Sequence, residues 1–152
     1  MTNIAQSAPT TPEGAFRVRN SFLRIYGALA ILFGFIVMIL GLLAILARST
    51  GSNYEGIIET PDAVPAIAGP YSIAVFLVLI VLGILVFRQR VIAAVGLLVF
   101  IFATDALSYL VPALNIDGDA SYSAGDLVVE AISLILTGIV LIADRAARST
   151  TG

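Results

Sequence analysis

Asp105 and Glu130 are the two acidic residues that lie more than a helical turn inside long apolar stretches of this chain. An ionisable group in such a place costs ~2.5–3.5 kcal/mol on membrane-insertion scales and faces protein or water, so it marks a proton relay, an ion path or a buried polar contact. Asp105 stands fourteen residues after Val91, or ~21 Å along a helix rising 1.5 Å per residue. Glu130 stands six residues after Ala124 on a stretch running the other way, or ~9 Å from the opposite surface. Across an apolar layer of ~30 Å the two carboxyls come to one depth. Ser108 and Tyr109 follow Asp105 at three and four residues, on the same helix face, and Ser133 and Thr137 follow Glu130 at three and seven. Arg48 is the nearby positive charge, with a stem long enough to reach inward. Two carboxyls at one depth can share a proton, and at least one is expected to be protonated at neutral pH. Three readings stay open. The acids hold the helices in register through hydrogen bonds to Tyr109, Ser108, Ser133 or Arg48; they bind protons or a cation; or they meet a positive residue on another protein.

Composition removes most other chemistry. The chain has no His and no Cys, and with them go the commonest zinc and haem ligands, thiolate chemistry and the side chain suited to proton transfer near neutrality. No Gly-rich phosphate loop, serine-nucleophile motif or metal-binding His pair is present. No catalytic residue, cofactor or metal site is therefore expected. Asn115–Asp119 is acidic but lacks the ligand run of a calcium loop, and its Asp117-Gly118 pair reads as a turn. All eight basic residues are Arg and they sit singly beside apolar stretches, so there is no basic surface for nucleic acid.

The elements that must position the acids are apolar helices. Of 152 residues, 59% are hydrophobic and 12% charged, with a mean hydropathy of +1.04; a soluble domain is about a quarter charged. Four apolar stretches, Ile25–Ala47, Tyr71–Phe87, Val91–Val111 and Gly125–Ala143, approach the ~20 residues that a helix needs to cross a bilayer. They predict an all-α integral membrane fold, a four-span antiparallel bundle with left-handed crossings, surrounded by lipid. Expected spans are 22–47, 70–87, 91–111 and 124–143 within a transmembrane domain at 21–145, joined by loops at 48–69 and 112–123. Residues 1–20, rich in Thr, Ser, Pro and Ala, read as a flexible tail, and 146–152 as a second tail. Asn20 or Ser21 is the expected cap of the first helix, Pro70 the expected first residue of the second, and Ser123-x-x-Asp126 a capping pattern before the fourth. Seven of the eight arginines fall before the first span, in the Arg88–Arg90 link or after the fourth span. Basic flanks stay inside, so both termini are expected in the cytoplasm and both long loops outside.

Gly27, Gly34 and Gly41 recur every seven residues in the first span. That period keeps one face toward a neighbour, and small residues there let helix backbones approach. The stripe predicts close packing on another span of this chain or on a partner.

From Ala103 to Ala143 the layout resembles small four-span bacterial membrane proteins related to the DoxX-like group. In one uncharacterised branch a polar residue late in span three is followed three positions on by Ser, then by an Asp-Gly turn and a Glu early in span four. The corresponding residues here are Asp105, Ser108, Asp117-Gly118 and Glu130. That branch usually carries a basic residue where this chain has Asp105. The resemblance implies a four-span bundle in a bacterial plasma (inner) membrane and no particular reaction. Together these features predict a non-enzymatic membrane protein, an accessory or packing subunit of a larger assembly or a self-associating one. The alternative is a small proton- or cation-coupled carrier built on Asp105 and Glu130.

Overall fold

A computed structural model of the chain describes residues 12–51, 64–116 and 124–149. Among these residues lie the helices α1 (Pro12–Thr50), α2 (Ala68–Phe87), α3 (Val91–Leu110) and α4 (Ala124–Ser149), with a 3-10 turn at Pro112–Leu114. All four are long and apolar enough to cross a membrane. They form an antiparallel ring in which α1 packs on α2 and α4, and α3 closes the far side against the same two helices. Residues 12 and 149 and the link at 88–90 lie at one end of the bundle. The end of α1, the start of α2, the end of α3 and the start of α4 lie at the other.

The first and last helices are longer than the apolar pattern implied. α1 begins at Pro12 rather than near residue 22, so Asn20 and Ser21 lie inside the helix and cap nothing. Pro12 suits a first helical position because its missing N–H needs no partner there, and Glu13 complements the positive helix end. The polar segment is held by contact rather than by apolar period. Arg19 stacks 4.8 Å from the Phe16 ring centroid and reaches across to Asp144 of α4. For the same reason α4 runs on to Ser149 through residues expected to be tail. Residues 1–11 and Ser123, part of the expected tail and the expected cap of α4, lie outside the described residues.

Chain ends and turns follow local chemistry. α1 stops at Gly51, whose φ of +65° and N–H bond to the Ala47 carbonyl at 2.8 Å make a left-handed cap. α2 starts at Ala68, which puts Pro70 in the first turn. It ends in a Schellman turn, with Gln89 N–H on Val86 O at 2.8 Å and Arg90 N–H on Leu85 O at 3.1 Å. Gln89 occupies the left-handed position, φ +65°, that glycine usually fills. α3 ends at Leu110, two residues before Pro112, which opens the 3-10 turn.

The interior is made of small and medium side chains and the exterior of large ones. Leu23, Leu79, Leu97, Val86 and Val140 are the largest fully buried residues, whereas Leu32, Val81, Ile92, Leu110 and Ile142 point outward. The glycine stripe faces α2 of the same chain. A Cβ on Gly27 would meet Phe87 N at 2.5 Å, one on Gly34 would meet Leu79 Cβ at 3.3 Å, and one on Gly41 would meet Ser72 Cβ at 2.8 Å. α2 answers with its own glycines, Gly83 against Gly27 and Gly69 against Gly41. The two helices thus share one seven-residue register, the spacing of left-handed crossings.

Candidate functional site: a carboxyl-lined cavity

The best-formed cavity, of about 440 Å³, opens at the loop end of the bundle. α3 brings Thr104, Asp105 and Ser108 to it, the start of α4 brings Asp126, α2 brings Tyr71 and Ser72, and the turn after α3 brings Asn115. Phe33, Val37, Leu79 and Ile101 form its apolar floor. The polar wall is tied down locally. Thr104 Oγ1 donates to the carbonyls of Phe100 (3.0 Å) and Ile101 (2.8 Å). Ser72 Oγ donates to Ala68 O at 3.0 Å, and Asn115 Nδ2 to Ser108 O at 3.3 Å. The Tyr71 hydroxyl points at Thr104 O across 3.4 Å, linking α2 to α3.

Asp105 and Glu130 come near one another: among the described residues, the charges acting on Asp105 are those of Asp126 and Glu130. Asp126, expected only to suit the helix end, is therefore a third acid of the site. Its spacing of four from Glu130 carried that signal. Among the described residues, no three acidic side chains converge closely enough to hold a metal ion.

The other expected members divide. Ser108 lines the cavity. Tyr109 does not: it is 58% exposed on the outer face of α3, because a step of four residues turns the side chain away from a helix that packs on two neighbours. Arg48 does not reach the acids either. It donates from Nη1 to the Val64 carbonyl at 2.6 Å, because a backbone acceptor next to the end of α1 is nearer than a carboxyl one layer deeper. Ser133 is buried but turns toward α1, where it and Thr137 face Tyr26. Glycines 27, 34 and 41 line no part of the cavity.

A second polar centre lies at the opposite end of the bundle. Asp144, only 7% exposed, accepts from Arg19 at 2.7 Å and from Arg148 at 2.8 Å. The hydrogen bond from Arg19 holds its carboxyl below the usual aspartate range, against the opposing effect of burial and with help from Arg148. Arg19 in turn donates through Nε and Nη2 to Asn20 Oδ1. In sequence the pair looks like tail charges 125 residues apart.

Compared with known protein families, with curated proteins and with solved structures, the chain matches none.

Proposed function

We propose that this is a multi-pass protein of the plasma (inner) membrane, with both termini cytoplasmic, that takes up protons from the outer side through the cavity at Asp105, Glu130 and Asp126. The observation that carries the reading is a group of acids, Asp105 and Asp126 with Glu130 near them, beside a cavity with no arginine among its lining residues. Such a site holds an exchangeable proton at membrane depth, as proton relays do. The apolar exterior supports lipid as the solvent, and the arginines at 17, 19, 24, 88, 90, 145 and 148 support the orientation.

The reading is tested in proteoliposomes that trap a pH-sensitive dye. An imposed proton gradient should collapse faster with the protein than without it, and Glu130→Gln should remove the difference. Equal rates with and without wild-type protein refute the proposal. The accessory-subunit reading draws less support, because the glycine stripe that might have served a partner is occupied by α2. A fixed partner retained in native mass spectrometry from mild detergent would restore it.

A further inference from the structure

Below the carboxyls the buried face of α4 carries polar residues among apolar ones. Asp126, Glu130, Ser133, Thr137 and Asp144 recur at steps of three, four or seven, which keeps them on one helix face. α1 lies antiparallel to that face, with Arg19 opposite Asp144 and, seven residues on, Tyr26 opposite Thr137. Tyr26, Ser133 and Thr137 are 3%, 3% and 2% exposed. The hydroxyls of Tyr26 and Thr137 are buried and complete no hydrogen bond among the described residues, although Thr137 and Ser133 face the phenol closely enough to act on it. Buried polar atoms are nearly always satisfied, and an orphan pair is commonly served by internal water. Space adjoins the phenol: Tyr26 and Ser133 are the polar members of a cleft of about 200 Å³ whose other walls are apolar and which reaches the outer face at Leu29, Leu32, Ile36 and Ile132. It shares Phe33, Ile36, Leu79, Ile101 and Val129 with the carboxyl cavity.

We propose that Tyr26, Ser133 and Thr137 form an internal hydration site that relays protons between the outer carboxyls and the Arg19–Asp144 end of the bundle. This rests on the proton-uptake reading and supplies its route. Each hydroxyl has one proton to donate and lone pairs to accept, so a proton arriving from Glu130 on one side of a hydroxyl is matched by release of that hydroxyl's own proton on the other. Nothing is oxidised or reduced. Thr137 and Asp144 are seven residues apart, or ~10.5 Å along the helix. Fully buried Leu23, Val86 and Val140 belong to the core around that interval. They make a dry layer that keeps the route from being an open leak.

The test uses the same dye-loaded proteoliposomes. Tyr26→Phe with Thr137→Val should slow proton entry at least tenfold while circular dichroism and melting temperature stay near wild type. Tyr26→Phe alone covers the case in which the double variant fails to fold. Val140→Thr, which adds a hydroxyl within the dry layer, should speed entry. Wild-type rates in Tyr26→Phe and in the double variant, with Glu130→Gln still inactive, would overturn the relay and leave the carboxyl site standing. No proton entry in the wild type would overturn both.

Discussion

Alanine at each of four glycines should sort by what its new methyl group meets, and this tests the packing of α1 on α2. At Gly27 the added Cβ would stand 2.5 Å from Phe87 N and 2.7 Å from Gly83 O, both backbone atoms. Ordinary contact begins near 3.4 Å, so the helices must part by almost an ångström. Overpacking of this kind costs ~1–3 kcal/mol, and the better helix propensity of Ala returns up to ~1 kcal/mol. The expected net loss is about 2 kcal/mol. At Gly41 the contacts are Ser72 Cβ at 2.8 Å and Gly69 O at 3.0 Å, and a loss of about 1 kcal/mol is expected. At Gly34 the nearest atom is Leu79 Cβ at 3.3 Å, so strain and propensity should cancel. Gly138 has nothing within 4 Å, and alanine there should stabilise by ~0.5–1 kcal/mol. The assay is reversible unfolding in mixed dodecylmaltoside–SDS micelles, followed by circular dichroism. If Gly27→Ala is as stable as Gly138→Ala, the stripe does not pack as described.

Three further outcomes follow from local geometry. Gln89→Gly should stabilise by about 1 kcal/mol in the same assay, because it relieves a left-handed residue in the Schellman turn; no gain would place the strain elsewhere. Asp144→Asn should cost about 2 kcal/mol at pH 7, since Arg19 and Arg148 lose a charged acceptor. The Asp144 carboxyl is held below its ordinary value of 3.8, so its support is complete above that value and fades as pH falls through the lower folded one. Thermal melts of wild type and variant should therefore draw together as the pH falls below the ordinary aspartate range, and a gap that does not narrow with acid would contradict the pairing. Arg48→Ala should lower stability by about 1 kcal/mol through loss of the Val64 bond and leave proton entry unchanged, whereas a pairing of Arg48 with the acids would change the flux.

What could be read from the sequence was what depends on distance along a helix. The rise per residue put Asp105 and Glu130 at one depth, and Glu130 is among the charges that act on Asp105. The seven-residue spacing of the glycines implied a packed face, although the composition of α1 alone did not say whose. What escaped depends on rotation and on competing partners. Tyr109 shares a nominal face with Asp105, but α3 packs on both α2 and α4, and four residues carry the ring past both. Arg48 had the reach to neutralise the acids, and a loop carbonyl held it first. The start of α1 at Pro12 was hidden because a salt bridge to residue 144, rather than an apolar period, orders that segment. Tyr26 passed as one more aromatic in an apolar span until Ser133 and Thr137 were set against it.

The chain has no cysteine, so single cysteines can report which side each end of the bundle faces. Ser108→Cys lies in the carboxyl cavity and Ser149→Cys is exposed at the opposite end, on the last residue of α4. In intact cells a membrane-impermeant maleimide should label Ser108→Cys and should reach Ser149→Cys only after permeabilisation. Labelling of Ser149→Cys from outside, with Ser108→Cys protected, would contradict both the orientation and the outward-facing site.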